Sequence, residues 1–333
     1  MRDEIAGSFS HVLEHCCTPQ VVRAIEAGGD HRSLWQTLEQ TGFADALIPT
    51  EAGGAGLSLA DVFPIPELCG HYGVPLAFAE TMILRGILAH LNVAIPSGSI
   101  TFAGQTRCRG DQVVSGQVVC GMVADWAVLG MEGEWRLAPI GAAQRHALPF
   151  ALDAALTWPR SAVDKATSVR SNVDERVVQA FVHGVQIAGA LNAVFARTLD
   201  YANERKQFGR PIGTFQAIQH QLSVMAEHVF AARMAADIAT SRDGMRFDRL
   251  KIAIAKARAS EAAVEVAALS HSVHGAIGFT MEYDLQLLTR RLNAWRLSAG
   301  SEGYWHNVVG KGIFDCADAK SLDFLRRCSD LSS

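Results

Sequence analysis

The chain has 333 residues, 49% hydrophobic and 19% charged, a balance that excludes a disordered polypeptide or a coiled coil. That length predicts about two domains or one large one, with roughly three quarters of the extended surface buried. With 30 basic against 34 acidic side chains the net charge is −4, so no basic field exists to hold nucleic acid or anionic lipid.

The opening MRDEIAGSFSHVLEH has neither an apolar signal core nor a cleavage motif and reads as unsecreted. The seven cysteines include adjacent Cys16 and Cys17 but no CxxC pair, which fits reduced thiols and a cytoplasmic location. Residues 1 to about 95 read as helical. Thr18 before Pro19 is an N-cap with proline at the first helical position, and Gly28-Gly29 stops that helix. SLWQTLEQTG (33–42) predicts a second helix ending on glycine, and Ser58 with Asp61 forms a capping box after the glycine-rich loop 47–61.

From about 98 to 160 short apolar stretches (SITFAG, VVSGQVVCG, WAVLGM, WRLAPI) alternate with Gly, Asp and Pro, which predicts a small antiparallel β domain. Beyond 172 the pattern predicts helices near 173–204, 214–241, 245–272, 283–296, 301–313 and 319–331. The stretch 177–196 has no charged residue and is long enough for a bilayer. Gln179, His183, Gln186 and Asn192 within it point instead to a helix buried in a protein bundle. The alanine-rich 251–269 predicts closely approaching helix backbones.

No GxGxxG, GxxxxGK[ST] or GxSxG is present, so the Rossmann, P-loop and hydrolase readings lack their defining elements. His271 and His274 have no third ligand nearby, so no metal site is expected. The richest segment is ERKQFGRPIGTFQAIQHQLSVMAEH (204–228), a charged turn before a helix opening at Thr214. There Arg205 can fork onto a pyrophosphate, Gln207 and Gln216 can hydrogen-bond it or a ribose, and Phe208 can supply an apolar wall. On its own the same segment also reads as a solvated basic turn between helices.

ERKQFGRPIGTFQAIQH resembles the flavin-binding motif of the acyl-CoA dehydrogenase family. LIPTEAGGAGLS (47–58), GQVVCGMVADWAVLG (116–130) and HGAIGFTMEY (274–283) resemble further family segments, in the family's order. The resemblance implies a multidomain α+β fold: a helical N-terminal domain (1–95), a small, shortened β-barrel-like middle domain (96–165) and a C-terminal four-helix bundle (166–333). It also implies FAD, an acyl-CoA substrate of fatty-acid or steroid type, and a dimer or tetramer in which one subunit grips the ADP half of a neighbour's flavin. Carried over residue by residue, the cofactor contacts are Arg205, Gln207, Phe208, Gln216, Ser272, Gly275, Ala276 and Ser301. Ser272 and Ala276 themselves depart from the family's glutamine and second glycine.

The family's reaction needs a carboxylate base for the α-proton of the thioester, in a dry pocket. Counting from Ala276, the family's glutamate position falls on Ala299; the alternative position, on the long helix before the motif, falls on Gln179. Neither can take a proton. Glu302 and Glu175 stand nearby, but Glu302 begins a helix, where the macrodipole stabilises its ionised form. The T-E-P…G-S-D loop is absent as well. A chain that keeps the ADP clamp and lacks the base resembles the short, non-catalytic partner in a heterotetrameric acyl-CoA dehydrogenase. Two alternatives remain: a self-sufficient dehydrogenase with a relocated base such as Glu302, and a flavin-free acyl-CoA-binding or assembly protein.

Overall fold

The computed structural model describes residues 1–315 apart from 105, 132, 151 and 243, together with 323, 326 and 328. Its N-terminal region folds as helices α1 (Arg2–Cys16), α2 (Pro19–Glu26), α3 (Arg32–Glu39), α4 (Leu59–Val62), α5 (Pro64–His71) and α6 (Phe78–His90). The caps fall where the sequence puts them. Thr18 Oγ1 accepts from the Val21 amide with Pro19 at the first helical position, and Ser58 and Asp61 form a reciprocal capping box.

The middle region holds β1 (Ile100–Phe102), β2 (Thr106–Arg109), β3 (Gln112–Val118), β4 (Trp126–Met131), β5 (Glu134–Pro139), β6 (Gln144–Ala147), β7 (Ala154–Pro159), α7 (Arg160–Asp164) and β8 (Thr167–Val169). These strands make two separate four-stranded sheets, in the orders β1-β4-β5-β8 and β2-β3-β7-β6, rather than a closed barrel. Val113, Leu129, Leu156 and Trp158 fill one core with residues of both sheets, and the Trp158 indole donates to the Pro139 carbonyl across it. The expectation of a purely antiparallel domain needs one correction. β1 pairs parallel to β4, because the β2–β3 hairpin between them belongs to the other sheet and returns the chain in its original direction.

The C-terminal region contains α8 (Glu175–Glu204), a two-stranded hairpin of β9 (Lys206–Gln207) and β10 (Arg210–Pro211), α9 (Gln216–Ile238), α10 (Arg249–His274), α11 (Leu285–Leu297) and α12 (Glu302–Phe314). Helices α8 to α11 pack as a bundle, with α12 against α10 and α5 against the outside of α8. α9 starts at Gln216 rather than Thr214, because Ile212–Thr214 forms a 3-10 turn first. The helix expected at 319–331 lies outside the described residues except at 323, 326 and 328.

α8 is long and apolar enough to cross a membrane, yet 94% of its most apolar window is buried inside the protein. Its polar residues Gln179, His183 and Gln186 are buried at helical spacing on that core helix. His183 Nε2 lies 3.3 Å from Glu80 Oε1 on α6. α5 and α8 meet backbone to backbone at Gly70 and Gly189; a Cβ at Gly189 would overlap the Glu67 carbonyl.

Candidate functional site

A cavity of about 620 Å³ forms where the β region meets two helix N-termini. β2 and β3 supply one wall, the first turns of α8 a second, and the α11–α12 loop with the start of α12 a third. Gln179 comes from α8, Leu297 from the end of α11 and Ser298, Ala299, Gly300 and Ser301 from the loop, so the two positions at which a base was expected line one space. They are directly linked: Gln179 Nε2 donates to Ser298 Oγ at 3.0 Å. Gln179 Oε1 is buried with no partner.

The loop has an unusual backbone. Ala299 and Gly300 both take positive φ, +59° and +103°, a region that an alanine occupies only at a cost. Buried donors hold it there. Lys256 of α10, fully buried, donates from Nζ to the carbonyls of Trp295 (2.9 Å), Arg296 (2.9 Å) and Gly300 (3.3 Å), and to Ser260 Oγ (3.0 Å). The Trp305 indole donates to the Ala299 carbonyl at 3.1 Å. Burial pulls the Lys256 ammonium down to about 7, against the opposing pull of Glu302.

The two acids behave differently. Glu175 lines the cavity, the only carboxylate among its described lining residues. Burial, assisted by neighbouring Asp174, pushes its pKa up. Glu302 lies outside the cavity wall. Burial raises its pKa, but the bidentate fork of Arg296 (2.5 and 2.9 Å) outweighs this and holds it below the usual carboxylate range. The sequence therefore pointed to Glu302 as the nearer alternative base, whereas the geometry places Glu175 in the cavity and ties Glu302 to a guanidinium.

The 204–216 segment lies elsewhere, on the surface. Phe208 and Gly209 turn the β9–β10 hairpin with φ of +51° and +81°, as a two-residue hairpin turn requires. A phenylalanine in that conformation is strained, and its ring is 93% exposed. Arg205, Gln207 and Gln216 are exposed beside it. The other expected contacts, Ser272, Gly275 and Ala276, are exposed near the end of α10, where Gln221 Nε2 of α9 donates to Ser272 Oγ at 3.3 Å. Only Ser301 of the expected cofactor set lines the cavity. An exposed ring, guanidinium and amides can hydrogen-bond a diphosphate and wall a base, so the residues present fit the ADP half of a flavin. His274 donates from Nδ1 to the Ser270 carbonyl and pairs with Tyr283 through Nε2; among the described residues no cluster of three metal-type ligands occurs.

Sequence reasoning missed the charged wall of the cavity, Arg107 and Arg109 on β2 and Arg176 on α8, and the clamp at Lys256. The i, i+2 spacing of Arg107 and Arg109 on a strand was the available signal for the first. For Lys256 there was none: a lysine in an alanine-rich helix ordinarily points to water.

The family model described as acyl-CoA dehydrogenase, C-terminal domain, matches residues 177–314. The chain is similar to acyl-CoA dehydrogenase IpdE2 of Mycobacterium tuberculosis, 32% identical over 297 residues that cover 87% of this chain and 89% of that protein. Among solved structures it resembles a chain of the ChsE4–ChsE5 complex from Mycobacterium tuberculosis, with a TM-score of 0.81, 21% identity, and coverage of 96% of this chain and 98% of that one. A chain of the Tcur3481–Tcur3483 steroid ACAD gives a TM-score of 0.83 at 22% identity, covering 95% and 98%.

Proposed function

The chain belongs to the acyl-CoA dehydrogenase family, and from that premise we propose that it is the partner subunit of a two-chain, FAD-dependent acyl-CoA dehydrogenase. In this reading it supplies ADP-side contacts through Arg205, Gln207, Phe208 and Gln216, while a full-length chain supplies the catalytic glutamate. One observation carries the reading: Gln179 and Ala299 meet in one cavity, and neither accepts a proton. FAD, when bound, accepts the β-hydride of an acyl-CoA thioester. This chain's own residues bind and orient. The exposed Phe208 ring and Arg205 fork are placed for a ligand outside the chain, and Ser301 offers a hydroxyl at the cavity. Likeness to a chain of the two-component ChsE4–ChsE5 complex supports a heteromeric assembly, and likeness to a chain of the Tcur3481–Tcur3483 steroid ACAD supports a bulky acyl-CoA.

Co-expression with a glutamate-bearing acyl-CoA dehydrogenase chain, followed by flavin counting and turnover of steroid-side-chain CoA thioesters, tests this directly. The complex is expected to hold FAD and turn over, and the chain alone to do neither. Stoichiometric FAD and ordinary turnover by the chain alone overturn the proposal.

Glu175 supports a second reading, a self-sufficient dehydrogenase, because it lines the cavity and burial raises its pKa toward that of a usable base. In that case Glu175→Gln abolishes turnover of the chain alone; undiminished activity of that variant removes this reading.

A further inference from the structure

Three guanidiniums line the cavity, none of them in an ion pair among the described residues. Arg107 and Arg109 sit at alternate positions of β2, opposite Val114 and Gln112 of β3, so both project from one face of the sheet. Their strand neighbours point the other way, Thr106 Oγ1 donating to the Gly130 carbonyl and Cys108 Sγ accepting from Arg160. Arg176 enters from α8, its guanidinium 5.0 Å above the Tyr304 ring. Arg249, close by, is neutralised by Asp174 at 2.7 Å. None of Arg107, Arg109 and Arg176 has a carboxylate within 4 Å among the described residues. The cavity's one acid, Glu175, packs instead against the backbone of Gly130.

Two helix N-termini add to the same field. α8, of 30 residues, and α12, of 13, both begin at the cavity, and the Ser301 N-cap makes no side-chain cap bond. The α8 amide of Arg176 is already capped by Asp174, so what the two helix starts add is the positive ends of their dipoles, beside a wall that carries three positive charges against one negative. Like charges gathered this way repel until an anion completes them, and arginine forks match planar oxyanions bidentately.

We propose that Arg107, Arg109 and Arg176 form an oxyanion-binding wall, so that the cavity takes a ligand bearing a multiply charged oxyanion group. A diphosphate linkage and a carboxylate carried on the acyl portion both offer that chemistry. The wall is separate from the 205–216 surface, and neither flavin nor a second chain is needed to bind an anion there, so its test fails independently of the reconstitution above.

Calorimetric titration of the full chain at low salt, with inorganic pyrophosphate in one arm and glutarate in the other, distinguishes the two sources. Saturable binding of at least one is expected, weakening as salt rises. In the double variant Arg107→Gln/Arg109→Gln that affinity should fall by about tenfold or more. Arg170→Gln, the loss of a surface charge 90% exposed and 3.5 Å from Glu134, should leave it unchanged. Pyrophosphate alone binding assigns the wall to phosphates, and glutarate alone assigns it to a carboxylate of the acyl group. Absence of binding in both arms, binding untouched in the double variant, or an equal loss in Arg170→Gln overturns the inference.

Discussion

Replacing Lys256 with methionine should change how stability depends on pH, and by a calculable amount. In the folded chain burial brings the Lys256 ammonium from 10.5 down to about 7, whereas the unfolded chain keeps that proton to about pH 10.4. The unfolded state therefore binds more protons between those values, and the folded state gains stability as pH rises through the window. From pH 6 to pH 8.5 the gain works out to about 2 kcal/mol. Lys256→Met removes the titration and also leaves the Trp295, Arg296 and Gly300 carbonyls without their donor. The second effect is independent of pH; the first is not. Urea midpoints followed by tryptophan emission at pH 6, 7, 8 and 8.5 should show the wild type pulling away from the variant by about 2 kcal/mol across the series. The buried thiols of Cys17, Cys69 and Cys120, pushed up by burial, lower stability as pH rises toward and past about 8.5, equally in both proteins. Parallel pH curves for the two proteins would refute the view that Lys256 is a buried, titrating clamp.

Three further outcomes are expected. Phe208→Ala should leave the melting temperature of the isolated chain unchanged or slightly raised, since the ring is 93% exposed at a strained turn, while lowering the FAD retained by the two-chain complex on dialysis. Gly189→Ala should destabilise by about 3 kcal/mol or more, because the new methyl meets the Glu67 backbone and the α5–α8 crossing must open; a urea midpoint near that of the wild type would refute the close approach. Ala299→Gly should stabilise by about 1 kcal/mol through relief of the positive φ, measured by thermal unfolding.

Local signals made much of the fold legible. Thr18-Pro19 and the Ser58–Asp61 box each fix a helix start through bonds within four residues, so they can be read from the string alone. The lack of charge between Val177 and Ala196 reported a helix buried on nearly all sides. Non-local consequences were less accessible. The parallel pairing of β1 with β4 depends on which sheet the intervening hairpin joins, and no periodicity in either strand records it. Gln179 and Ala299 could be numbered from the family pattern, but that they share a cavity, bonded through Ser298, is a property of the α8–α11 packing. The burial of Lys256 is likewise set by its acceptors on α11 and the following loop rather than by its own neighbours in sequence.

The α11–α12 loop holds its shape at the cavity without a carboxylate at 299. Holding an alanine at positive φ is unfavourable, and so is burying an ammonium to secure the loop. Such strain survives where the surroundings over-determine the backbone. Here Lys256 and Trp305 bond the carbonyls of Trp295, Arg296, Ala299 and Gly300, and Gln179 bonds the Ser298 hydroxyl. None of these restraints requires a carboxylate at 299 or 179. The construction is one of shape: it presents the start of α12, the Ser301 hydroxyl and the arginine wall to a common space. A cavity held in this shape with Gln179 and Ala299 on its wall suits binding by complementarity, and its shape does not depend on a proton acceptor at either position.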